Sequence, residues 1–313
     1  MNRCLRTAGS VVLVILSVPR AWAQDSVPIA VPAVRISSTP ATVAEGTIGW
    51  VELQTDSGAM VVSGEAGGEA LHLQRTPEGR YRGLVGVPVE VGDSFRISIR
   101  LQREGGADTV TTSLPVRPAA YPSEVLTVPP AFVKPDSISA LRIQSEIAQS
   151  REVSRRSHER RRLWRGRFVL PRASRITSRF GTARVYNGEV QSRHMGTDFA
   201  GAVGAPVRAA GRGVVVLVAD FYLAGRAIYI DHGAGLVTAY FHLSKAEVRQ
   251  GQLVNRGQRI GLVGRSGRVT GPHLHWVARY GTISVDPLSL LALDSTSADH
   301  DRESADLGSR ANQ

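Results

Sequence analysis

Cysteine is nearly absent from this chain of 313 residues; the single copy is Cys4. Cys4 falls in a stretch, Met1 to Ala23, that reads as a secretory signal peptide. Arg3 and Arg6 form its basic start, Ser10 to Val18 its short apolar run, and Ala21-Trp22-Ala23 a small-x-small cleavage site. Loss of that segment leaves no thiol, which excludes disulfides, a Cys nucleophile and Cys zinc ligands. Any metal must then be held by His, Asp or Glu. Cys4 lies ahead of the apolar run, so it is not a lipoprotein cysteine, and no wall-anchoring motif is present. The apolar run is too short to span a bilayer, so no stable membrane anchor is expected. A Sec-type route to the periplasm or the medium is.

Lysine is also scarce. Among 38 basic residues only Lys134 and Lys245 are lysine. The net charge of +11 and pI near 10.7 point to an anionic partner or surface. The densest basic run is Arg151, Arg155, Arg156, Arg160, Arg161, Arg162, Arg165 and Arg167. It reads either as a contact with an anionic polymer or lipid surface, or as a solvated face that pairs with nearby acids. The run has no interleaved aromatic beyond Trp164 and the protein is exported, so nucleic-acid binding is not expected.

Long helical periodicity is missing from most of the chain, which makes the expected fold mainly β. Residues 24–118 read as a β-sandwich-like domain, with Phe95 to Leu101 alternating cleanly between apolar and polar. No chemistry is evident there, and His72 is expected to be an exposed strand residue. Residues 119–163 read as a Pro-rich linker running extended over the surface, followed by an Arg-rich helix. Asp136 is its expected cap, and its apolar face passes through Ile143, Ile147 and Val153. Residues 164–291 contain short β runs with Gly turns, expected to form an antiparallel sheet; 292–313 read as a disordered tail.

The chemistry-bearing residues fall in the last β region. On a strand, His273 and His275 point one way while Leu274 and Trp276 point into packing. Two such imidazoles can both serve a metal, or one can hold it while the other acts on substrate. His194 and Asp198 lie four residues apart around Gly196. With His275 they make a three-ligand set that leaves a coordination position open, as a catalytic zinc site requires. In Leu236–Leu243, period two places Thr238, Tyr240 and His242 on one face and Phe241 on the other. His242 is then suited to general-base work or to steadying an oxyanion.

These blocks, His194-Met-Gly-Thr-Asp198, Tyr240-Phe-His242-Leu-Ser244 and Gly271-Pro-His273-Leu-His275, resemble in content and order the lysostaphin/LytM-type zinc metallopeptidases. Thr177–Gly181, Gly204–Val207, Asp231–Gly233 and Val248–Gly264 extend the similarity over roughly Trp164 to Leu290. The resemblance implies an open groove over an antiparallel sheet, with His194, Asp198 and His275 as zinc ligands and His242 and His273 as catalytic histidines. It implies hydrolysis of peptide cross-links in bacterial peptidoglycan, whose stems would be the partner. A non-catalytic, wall-binding activator of an amidase is the alternative, and a zinc peptidase acting on secreted proteins a third reading. Loss of ligands would mark the activator; all five positions are retained here.

His232 is expected to be structural, and His158 and His300 exposed. Tyr186 and Asn187 are expected either to touch substrate or to be ordinary loop residues. Arg179 and Arg184 are expected either to meet stem carboxylates or to be solvated.

Overall fold

The computed structural model describes residues 34–55, 58–188 and 190–294. The signal-peptide segment, with Cys4, and His300 lie outside the described residues. The fold is mainly β. Alternation works as expected in strand Ser94–Arg103, where Phe95, Ile97, Ile99 and Leu101 are buried and Arg96 and Arg100 face water. Each such side chain contributes about 1.5–3 kcal/mol by leaving water. That strand belongs to a five-stranded sheet that shares its core with a four-stranded sheet around Ile48–Gln54 and Tyr81–Gly86.

The second β region is a ten-stranded sheet. Its central order runs Ile176–Ser178, Thr197–Ala200, His273–Tyr280, Leu236–Ala246, Gly225–Gly233 and Gly213–Phe221, with every neighbour antiparallel. The two β regions are separate sheets, yet one apolar core continues through both. Tyr280 donates to the Ala70 carbonyl at 2.7 Å, and the Ile48 amide donates to Ser289 at 3.2 Å. Trp164 packs between Trp50 and Phe168 with tilted rings, closing the seam.

The Pro-rich segment is extended, but it is not a free surface linker. Ser123–Leu126 pairs in parallel with Ala183–Tyr186, and the Asn187 side chain closes a pair of hydrogen bonds with Val128. Tyr121 fills the space beside Gly181, where a Cβ would fall 2.0 Å from its ring.

Asp136 caps helix Ser137–Arg155 as expected, its carboxylate accepting from the Ser139 amide at 2.8 Å. Val153 packs against the sheet as expected, but the rest of the buried face differs. Ile147 is 46% exposed, while Ser150 and Ser154 are buried. Small serines let the helix approach the sheet closely; Ser150 takes hydrogen bonds from Tyr229 and Arg279, at 2.9 and 2.8 Å. In the arginine run, Arg155 and Arg156 pair with Glu152, and Arg160 with Asp231. No helix among the described residues is long and apolar enough to cross a membrane.

Two histidines expected to be exposed are instead partly buried together. His158 stacks on His72, with Nδ1 2.8 Å from His72 Nε2, and its Nε2 lies 2.9 Å from Glu69 Oε2. Their partners lie more than eighty residues away in sequence, which hides the contact from local patterning. His72 is held below its ordinary pKa of 6.5, first by burial and then by His158. Burial alone would raise Glu69, but hydrogen bonds from His158 and Thr282 outweigh it and hold Glu69 low. The unfolded chain therefore takes up protons more readily at both sites. Their stabilisation is present above pH 6.5 and fades as the pH falls, through His72 first and then through Glu69 below its ordinary 4.5. The melting temperature is expected to fall by a few degrees between about pH 7.5 and about pH 5.5, and by less in the His72→Gln variant. Equal falls in both proteins would contradict this.

Candidate metal centre and cleft

Three adjacent strands carry the site. Antiparallel register sets Asp198 opposite His275, and Phe241 opposite His275 on the other side. His194 enters from the end of strand Val190–Arg193. Its backbone is pinned by Gly181 and Thr182, at 2.7 and 2.8 Å. His194 Nδ1 lies 2.9 Å from the Arg179 carbonyl oxygen, so Nδ1 carries the proton and Nε2 presents a lone pair. That Nε2 is 3.1 Å from Asp198 Oδ1 and 2.9 Å from His275 Nδ1; His275 Nδ1 is 2.7 Å from the same oxygen.

His194, Asp198 and His275 are the group among the described residues able to hold a metal ion. Gly196 makes room for it: a Cβ there would fall 2.6 Å from His275 Cε1 and 2.6 Å from the Trp276 carbonyl oxygen. Burial by itself would raise the Asp198 pKa. His275 and His194 outweigh burial and hold it well below the ordinary carboxylate value, so the group stays charged. Burial lowers His275 to about 4 despite Asp198, leaving it neutral.

The other carboxylate oxygen has its own partner. Arg184 Nη2 donates to Asp198 Oδ2 at 2.7 Å, and Arg184 Nε donates to Glu124 Oε1 at 2.5 Å. Ser178 donates to Glu124 at 3.0 Å and lies 3.2 Å from His194 Nδ1. Arg184 is therefore neither solvated nor free for a substrate. Glu124, from the Pro-rich segment, carries no sequence signal for this role, because its partner is sixty residues away.

His242 reaches the cleft by a route that alternation misses. Thr238 and Tyr240 are fully buried on the face of Trp276, away from the cleft. His242 has a left-handed backbone, φ 61°, beside a bulge, which turns its side chain to the face of Phe241 and His275. Phe241 is accordingly on the cleft side, stacked on the His275 ring at 5.4 Å, contrary to expectation. His242 Nδ1–H donates to the Ser266 carbonyl at 2.8 Å, and His273 Nδ1–H to the Gly271 carbonyl at 2.9 Å. Each Nε2 is thus free to face the centre; that of His273 is 3.7 Å from Asp198 Oδ1. The two rings are 4.8 Å apart. Burial, then His273 and His275, hold His242 well below its ordinary pKa.

The cleft has a volume of about 170 Å³ and is bounded by Met195, Leu223, Phe241 and Arg268. Tyr186 lies on a strand and lines this cleft, whereas Asn187 is spent on Val128 and Arg179 contributes its carbonyl. His232 is fully buried outside it, bonded to Arg212 and Thr238.

The profile of peptidase family M23 matches residues 192–287. Those residues are an M23 peptidase domain. The peptidoglycan DD-endopeptidase ShyA of Vibrio cholerae is 48% identical over 113 residues, which cover 35% of this chain and 26% of ShyA. The DD-carboxypeptidase/endopeptidase Mpg of Neisseria meningitidis is 40% identical over 117 residues, 37% of this chain and 27% of Mpg. The chain thus spans about a quarter of the length of the curated relatives it matches. A solved M23 peptidase of Pseudomonas aeruginosa shares the fold over 80% of this chain and 94% of its own, with a TM-score of 0.58 and 24% identity.

The zinc implied by an M23 domain fits these residues. Two imidazole nitrogens and a carboxylate oxygen, all within 3.1 Å of one another, need a cation or shared protons between them. The donor set is nitrogen and oxygen, without sulfur, and Arg184 fixes the carboxylate from behind. Replacing Arg184 by Met is expected to weaken zinc binding about 10- to 100-fold. Competition with a chromophoric chelator measures it, and unchanged affinity would remove Arg184 from this role.

Proposed function

We propose that the protein is an exported zinc metalloendopeptidase that hydrolyses peptide cross-links of bacterial peptidoglycan. His194, Asp198 and His275 hold the metal, and His242 and His273 are the catalytic histidines. One observation carries the reading: both histidines tether Nδ1 to a backbone carbonyl beside the three converging donor atoms, with His273 Nε2 3.7 Å from Asp198 Oδ1 and the His242 ring 5.8 Å from that of His275. The resemblance to relatives named as peptidoglycan DD-endopeptidases supports the substrate class.

Zinc in this site supplies a Lewis acid that polarises a carbonyl and lowers the pKa of water. The chain's own groups do the rest. His242 or His273 accepts a proton at Nε2 from the attacking water. The protonated ring then donates to the tetrahedral oxyanion or returns the proton to the leaving amine. The carbonyls of Ser266 and Gly271 hold both rings in the required tautomer. The gathering of all five side chains around one centre gives no support to the activator reading.

His194→Ala is expected to abolish zinc binding. His242→Ala is expected to keep zinc and lose about 10²- to 10⁴-fold in turnover. Metal content by mass spectrometry and soluble muropeptides released from purified sacculi measure the two effects. Undiminished release by either variant would rule out the assignment.

A further inference from the structure

Three arginines line the cleft, and they differ in what holds them. Arg184 is bound to Asp198 and Glu124. Arg193 pairs with Glu90 and donates to the Gly181 carbonyl at 2.8 Å. Arg268 meets no carboxylate among the described residues. Its guanidinium lies over the Tyr186 ring, 4.3 Å from the centroid, and the residue is half-buried. Burial disfavours its charge and Arg184 opposes it, while Tyr186 favours it.

The backbone presenting Arg268 is held in place. Its amide donates to the Leu223 carbonyl at 2.9 Å. The preceding Gly267 has φ 76°, and a Cβ there would fall 2.4 Å from the Gly225 nitrogen, so the turn is packed against the 223–225 turn. One residue further back, Ser266 provides the carbonyl that orients His242. The stacked guanidinium is thus fixed beside the reacting centre; one of its five N–H donors meets the Tyr186 side chain, and the remaining donors suffice to take a carboxylate by two parallel hydrogen bonds.

We propose that Arg268 sets the specificity of this cleft by receiving a free carboxylate of the substrate peptide beside the scissile amide. This rests on the peptide-cross-link reading above and narrows it to acidic peptides. Tyr186 is the positioning residue, keeping the guanidinium flat and partly desolvated.

The test uses a purified cross-linked peptide dimer with free carboxylates and the same dimer with those carboxylates converted to primary amides. Turnover is measured with the zinc-loaded protein and its Arg268→Gln and Arg268→Lys variants. Binding is measured by calorimetry on the zinc-loaded His242→Ala protein, with and without Arg268→Gln. The acid form is expected to be preferred about tenfold or more in kcat/KM and in affinity, as a charge-assisted pair implies. Arg268→Gln is expected to erase the preference and Arg268→Lys to retain part of it. Equal treatment of both dimers by the unsubstituted cleft, or a preference that survives Arg268→Gln, overturns the inference. Preferential binding without turnover by the unsubstituted protein overturns the hydrolase reading and leaves Arg268 in place. Absence of binding to either dimer overturns both.

Discussion

A buried carboxylate is costly unless each oxygen finds a charged or hydrogen-bonding partner. Asp198 meets that condition on both sides. Oδ1 faces the imidazoles of His194 and His275, and Oδ2 faces Arg184. Arg184 in turn carries a charge that needs a partner, and Glu124 provides it. The chain of dependence runs outward from the centre to the strand Ser123–Leu126, which precedes the M23 domain in sequence. A segment that looks like a connection therefore contributes to the charge balance of the site.

The rest of the cleft follows from backbone constraints rather than side-chain chemistry. Antiparallel register fixes Asp198 across from His275. Gly196 admits the His275 ring and the Trp276 carbonyl where any Cβ would collide. The left-handed residue His242 brings a second strand's histidine onto the same face as His273 and His275. Such strain in a non-glycine residue costs of order 1–3 kcal/mol and persists only where the surroundings enforce it. Here the Ala224 carbonyl holds the His242 amide, and the Ser266 carbonyl holds its ring.

Much of this was legible in the sequence, for identifiable reasons. The rigid two-residue period of a strand places His273 with His275 and buries Leu274 and Trp276. The same rule, applied to Leu236–Leu243, misplaces Phe241, because positive φ at His242 interrupts the alternation and both side chains reach the cleft. On the helix, Val153 packs as the hydrophobic pattern expects, but Ser150 and Ser154 are buried in place of Ile147; hydrophobic pattern cannot see a polar contact made by small side chains. The contacts joining His72 and His158, and Glu124 and Arg184, span long sequence separations and leave no local trace.

The proposed chemistry requires that the three converging donor atoms hold one divalent ion. Diffraction from crystals of the zinc-loaded protein, collected on both sides of the zinc absorption edge, tests it most directly. A single anomalous peak between His194 Nε2, Asp198 Oδ1 and His275 Nδ1, within about 2.2 Å of each, is the expected result. A peak elsewhere, or none in a zinc-replete crystal, would contradict it.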